Sequence, residues 1–292
     1  MEQGKNSITK TLLYFQIFDY PLKKKEIWQF LDKKISYKKF ENLLKNIHRK
    51  DSFYFLNKKK NNIEKRKRRE RISNSKINKT LKYIKKISFI PSLQFAGISG
   101  GLSMKNSEKN DDIDIFIISK KDFVWLTRLL LVLLFKFQGV YRSKGETNVK
   151  DKFCLNFIIG ENKISFNKSE RNLYLAHEIV QLLPIFQRDS TYYDFIEKNN
   201  WIGNFLPNFK EKISENLIPI NKTTTNVDGL LLKLFNLLYI EKIVMFFQYI
   251  YMKPKITREK IESNMLAFHP KDYENIVLKK LHSRVAVDTR GH

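Results

Sequence analysis

Residues 95–118, FAGISGGLSMKNSEKNDDIDIFII, constrain this chain more than any other stretch. An apolar run ends in a glycine pair, Gly100 and Gly101. After a polar loop, Asp112 and Asp114 alternate with Ile113 and Ile115. Strand side chains at i and i+2 share a face, so both carboxylates project together while the two isoleucines pack behind them. Glycines let backbone N–H groups approach anionic oxygens, and paired carboxylates supply the hard oxygen ligands that a cation such as Mg²⁺ takes. An Asp-Ile-Asp triplet alone favours a pair of solvated strand-end turn residues. The glycine pair upstream turns the reading toward a site for metal and polyphosphate.

The pattern resembles the signature of the nucleotidyltransferase superfamily of the DNA polymerase β type: apolar–Gly–Gly/Ser, a gap, then Asp–apolar–Asp–apolar. Ile98, Ser99, Gly100, Gly101, Asp112, Ile113, Asp114 and Ile115 fit it without an insertion. The resemblance implies an Mg²⁺-dependent enzyme that moves a nucleoside monophosphate from a nucleoside triphosphate to a hydroxyl acceptor. Asp112 and Asp114 would then be catalytic metal ligands. Ser99, Gly100, Gly101 and Ser103 would seat the phosphates, with Lys105 and Lys109 neutralising charge from the intervening loop. The family's third carboxylate sits on a later apolar strand, and its counterpart here is FCLNFII, 153–159, with Asn156 at the acid position. A neutral amide oxygen is a weaker ligand for a hard dication. Asn156 therefore keeps a second reading open, a catalytically inactive nucleotide sensor or nucleic-acid-binding regulator. Glu161 replaces the missing acid only if its turn folds inward.

Charge separates the chain into unequal parts. Residues 1–90 carry 26 lysines and arginines against 8 acids, whereas residues 91–292 carry 29 against 22. Most of the net charge of +25 thus lies in the first third, as expected of a segment that meets a polyanion. The alternative is an AT-rich coding bias toward lysine, which by itself would spread the excess evenly. Residues 1–57 read as three helices followed by a short aromatic strand, the order of a winged helix. Its third helix would expose Tyr37, Lys38, Lys39, Asn42 and Lys45 to nucleic acid. Lysines contact phosphate well but read bases poorly, so sequence specificity is not expected. The competing reading is a winged helix used only for protein contacts, or merely packed on its neighbour.

Residues 58–90, with the run KRKRRER, read as a charged linker helix whose cations form a solvated face. Residues 91–200 read as the nucleotidyltransferase domain and 201–292 as a helical C-terminal region, an α+β chain with a mixed sheet flanked by helices. The wording of residues 170–200, together with FDYPL, LTRLLLVLL and FHPKDY, resembles a bacterial group that joins an N-terminal winged-helix-like region to this domain. A single cysteine, Cys154, excludes an internal disulfide and reads as a buried core thiol in a reducing, cytoplasmic setting. No secretory signal is read at the start. His177 and Glu178 are titratable groups in an apolar helix, open to substrate contact or to a structural role, and no zinc spacing is present. The apolar stretch 229–252 has the length of a membrane helix. Its central Glu241 and Lys242 instead favour packing on the domain or burial in an oligomer, with no stable membrane insertion.

Overall fold

The computed structural model describes residues 2–56, 62–209, 218–255, 259–268 and 272–288. Residues 58–61, the start of the expected linker, lie outside the described residues. The first unit runs α1 (Glu2–Gln16), β1 (Leu22–Lys23), α2 (Lys24–Gln29), α3 (Tyr37–Leu44), β2 (His48–Lys50) and β3 (Phe53–Phe55). Its strands form a small antiparallel sheet in the order β1-β3-β2. Ser36 caps α3 by accepting from the Lys39 N–H, which satisfies one of the helix's free donors. Phe40, Leu43 and Leu44 bury one face of α3, and Tyr37, Lys38, Lys39, Asn42 and Lys45 are exposed on the other.

Next come α4 (Ile63–Ile87), β4 (Leu93–Ile98), α5 (Gly100–Ser103), β5 (Ile113–Ser119), α6 (Val124–Phe137) and β6 (Phe153–Gly160). They are followed by α7 (Leu173–Gln181), β7 (Leu183–Arg188), α8 (Thr191–Lys198), β8 (Ile220–Lys222), α9 (Asn226–Leu237), α10 (Ile240–Met252), β9 (Lys260–Glu262), β10 (Met265–Ala267) and α11 (Asp272–Asp288). One mixed sheet orders the strands β8-β7-β4-β5-β6-β10-β9. The pair β4–β5 is antiparallel and β5–β6 is parallel.

Apolar alternation along β5 sets the two layers. Ile113, Ile115 and Ile117 bury into a core with Ile84 and Ile87 of α4 and Trp125, Leu131 and Phe135 of α6. Phe116 and Ile118 face the opposite core, beside Ala176 and Ile179 of α7 and Phe195 of α8. Trp125, Phe135 and Phe153 are fully buried, each worth about 1.5–3 kcal/mol over an exposed position. Phe135 stacks on Phe153 at 4.5 Å, which locks α6 to β6.

Several sequence expectations are corrected. Residues 201–292 are not simply helical, because β8, β9 and β10 complete the central sheet and α11 packs against α1 through Val277 and Leu281. The stretch 229–252 is not one helix: Tyr239, with φ 53°, takes a left-handed conformation and divides α9 from α10. Among the described residues no helix is long and apolar enough to cross a membrane. Nor is α4 merely a solvated linker. Its Arg66 is buried against Tyr20 and paired with Glu26, Arg68 and Arg69 both bind Glu108, and Lys76 and Lys79 both bind Asp151. The cations of α4 are therefore largely spent tying the first unit and the loops before β5 and β6 to this helix.

Candidate functional site

The β4–β5 pairing brings the glycine turn to the acids. Ser99 donates its N–H to the Asp114 carbonyl at 3.0 Å, and the chain then turns through Gly100 at φ +62° into the single turn of α5. A Cβ at Gly100 would stand 2.9 Å from Asp114 Oδ2, so glycine is required by both the backbone angle and the carboxylate. Gly101 has no such neighbour, only the Asn106 carbonyl at 3.7 Å from where a Cβ would lie. Asp112 immediately precedes β5 and Asp114 is its second residue, while Ile113 and Ile115 are fully buried behind them. Asp112, Asp114 and Cys154 each present a ligand atom, all within 4.8 Å of one another.

Asn156 reaches this cluster through an irregularity in β6. The β5–β6 register shifts between Asp114 and Phe116, which pair with Cys154 and Phe157, so β6 holds one extra residue there. Such bulges re-aim side chains next to functional sites. Asn156 donates from Nδ2 to Asp114 Oδ1, and its Oδ1 accepts from the Cys154 thiol at 2.7 Å. Arg142, on the loop between α6 and β6, pairs with Asp112 and lies 3.6 Å from Cys154 Sγ. Cys154 is half-buried at the site rather than a core thiol, which corrects the expectation. Burial, with the charge of Asp114, pushes its thiol up to about 12, so it stays protonated.

Burial, reinforced by the Asp112 charge, raises the Asp114 carboxyl to about 7 against the pull of Asn156 and Arg142. Two like charges in a desolvated corner are the condition that a bound dication relieves. The donor set fits an oxygen-seeking cation such as Mg²⁺ at two positions, Asp112 and Asp114. The protonated sulfur of Cys154 adds no hard ligand, and Asn156 turns its N–H, not its oxygen, toward Asp114.

The other predicted residues are distributed unevenly around this centre. The Ser99 hydroxyl has no side-chain partner as the cap of α5, whereas Ser103 Oγ donates back to the Gly100 carbonyl at 2.8 Å and has no proton left for a ligand. Lys105 and Lys109 sit on the α5–β5 loop without an ion pair among the described residues, and no contact brings either to the acids. Glu161 pairs with Lys120 at the far end of β5 and β6, so it cannot serve as the third acid. His177 is 2% exposed and stacks on Tyr14 at 4.1 Å, and burial pushes it down to about 3, so it is a neutral structural ring. Its neighbour Glu178 is different. Burial lifts it to about 7, the Asp114 charge adds to the rise, and Tyr174 opposes it through a hydrogen bond. Glu178 is thus a second acid coupled to Asp114.

Arg142 was invisible in the sequence, since it lies in a polar loop with no pattern pointing at Asp112. The loop carrying the glycines is pinned to the first unit: Tyr20 donates to the Met104 carbonyl at 2.6 Å, and Asn106 donates to that of Phe18 at 3.0 Å. Two cavities lie away from the acid cluster, one lined by Tyr20, Tyr54 and Asn62 and another by Arg188, Lys222 and Asp228. Arg188 in the second is fully engaged by backbone carbonyls and Asp228, which makes it a structural tie. No family model, curated protein or solved structure matches the chain.

Proposed function

We propose that the chain is a nucleotidyltransferase of the polymerase β type, dependent on a divalent cation, with a nucleoside triphosphate as donor and a hydroxyl as acceptor. The observation that carries this reading is the convergence of Asp112 and Asp114 beside Gly100, whose missing Cβ leaves room for Asp114 Oδ2. The sequence of antiparallel strand, glycine turn, acid-bearing strand and parallel neighbour also supports it. Asp112 and Asp114 would hold Mg²⁺, which when bound supplies charge neutralisation at the triphosphate and its leaving group. Gly100 and Gly101 keep the backbone open beside the acids, and Ser99 offers a hydroxyl donor. Asn156 orients Asp114 by donating to Oδ1.

The helix–strand–helix–helix–hairpin order of the first unit supports a winged helix. The exposed cations of α3, with Arg49 and Lys50 on β2, form a surface suited to phosphate backbones.

A specific observation favours the second reading, a sensor without turnover. Asn156 replaces an acid, and Arg142 already neutralises Asp112. Incubating the protein with each α-labelled nucleoside triphosphate, Mg²⁺ and total RNA or protein acceptors separates the two. Label transfer that Asp114→Ala abolishes supports the enzyme. Saturable binding with no pyrophosphate release supports the sensor, and neither binding nor transfer refutes both.

A further inference from the structure

The pair α9–α10 leaves a large apolar face uncovered. Glu241, Val244, Gln248 and Met252 recur at helical spacing along the inner side of α10. There Glu241 accepts from the N–H groups of Trp125 and Leu126 at 2.8 Å each, and Gln248 donates to the Trp125 carbonyl at 2.8 Å. These contacts fix the rotation of α10 against α6 and leave the other side outward. That outward side, continued on α9, presents Leu234, Leu237, Ile243, Phe246, Phe247 and Ile250, each between 47% and 74% exposed.

The polarity is inverted relative to an ordinary surface helix, with the acid and the amide inside and the large apolar groups outside. At roughly 100 Å² of apolar surface apiece, these residues and their neighbours on the two helices offer on the order of 1,000 Å². The largest patch on a typical monomer is about 300–600 Å², and a standard interface takes about 800 Å² from each partner.

We infer that the outward face of α9 and α10 is a self-association surface that docks on the same face of a second copy of this chain. Area is the first argument, because one protomer already supplies what a stable two-fold interface needs. Charge is the second. Residues 226–252 carry Asp228, Lys233, Glu241 and Lys242, a net charge of zero in a chain of net +25. Glu241 is turned inward and Asp228 is tied to Arg188, so the charges left outside on these helices are Lys233 and Lys242; two copies meet here with little like charge to oppose them, and depletion of charge is the mark of an interface centre. A helix that lies on an anionic lipid surface instead carries lysines and arginines along its polar side. Here that side holds Glu241 and Gln248 and is buried against α6. Two α9–α10 pairs would close into a four-helix layer, independently of whether the acid site turns over nucleotide.

Sedimentation velocity of the full chain at micromolar concentration tests this. A species of twice the 34.9 kDa chain mass is expected. Leu237→Glu and Phe247→Glu replace side chains that are exposed in the monomer, so folding should persist. Each should weaken self-association at least about thirtyfold, and the pair about a hundredfold or more. Circular dichroism and melting temperature of the variants confirm that the monomer is intact. A wild-type monomer overturns the inference, as does a dimer indifferent to both substitutions. Cosedimentation of a monomeric wild type with phosphatidylserine–phosphatidylcholine vesicles, lost in Phe247→Glu, would assign the face to lipid and overturn it as well.

Discussion

Replacing Gly100 by alanine probes the link between the turn and the acid pair, and Gly101→Ala is the matched control one residue away. Gly100 has φ +62°, where an L side chain costs about 1–2 kcal/mol. The added Cβ would also lie 2.9 Å from Asp114 Oδ2, against an ordinary contact of 3.4–4 Å, so the carboxylate must retreat by about half an ångström. Gly101→Ala meets only the Asn106 carbonyl at 3.7 Å, an ordinary contact, and gains up to about 0.5–1 kcal/mol of helical preference. Thermal unfolding should therefore fall by about 2–6 °C for Gly100→Ala and stay level or rise slightly for Gly101→Ala. Isothermal titration with Mg²⁺ or Mn²⁺ should show about 10–100-fold weaker binding for Gly100→Ala, since Asp114 would no longer hold its position. If the two variants melt and bind alike, the glycine turn does not set the carboxylate and the site as described is wrong.

Asn156→Asp removes the N–H donated to Asp114 and adds a third carboxylate. The cation-free protein should lose about 1–3 kcal/mol, while divalent-cation affinity should rise at least about tenfold; unchanged affinity by titration calorimetry would place Asn156 outside the site. The raised Asp114 carboxyl gives a pH dependence with a fixed sign. The folded chain holds this proton more tightly than the unfolded chain, so the group's contribution to stability is full below about 4 and is lost as pH rises through about 7. Mg²⁺ affinity should run the other way, rising up to about tenfold per pH unit below 7 and levelling off above it, and a flat profile would exclude Asp114 as a ligand. Glu241→Ala removes the two N–H acceptors at the start of α6 and should cost about 1–3 kcal/mol in denaturant unfolding. Stability within a few tenths of wild type would mean that water caps α6 equally well.

Local pattern revealed the parts of this fold that local pattern makes. The alternation around Asp112 and Asp114, the glycine pair and the amphipathic α3 are all short-range signals, and each stands where its periodicity puts it. Strands that exist only through distant partners were not legible. Leu183–Arg188 carries Pro184, which argues against a central strand, yet it pairs with β4 where the register shifts between Ala96 and Gly97. β8, β9 and β10 are three residues each, too short for alternation to show. The cations of α4 looked solvated because Glu26, Glu108 and Asp151 are scattered along the chain and meet them only after folding. The β6 bulge that brings Asn156 to Asp114 has no sequence mark at all.

The polar network around the acids bears on how a ligand would enter. Asp112 is matched by Arg142, Asp114 is held by Asn156, and Asn156 is in turn engaged by Cys154. Below about pH 7, where Asp114 is mostly protonated, Arg142 matches the charge of Asp112 and the cluster carries almost no net charge. A dication that claims both carboxylates must release the Asp114 proton and displace Arg142. Because Arg142 belongs to the loop joining α6 to β6, and its own N–H donates to the Phe153 carbonyl at 3.0 Å, that displacement acts on the strand that carries Cys154 and Asn156. Occupancy of the acid pair and the position of this loop are then one equilibrium, and any ligand that favours the cation-bound arrangement draws on the same free energy.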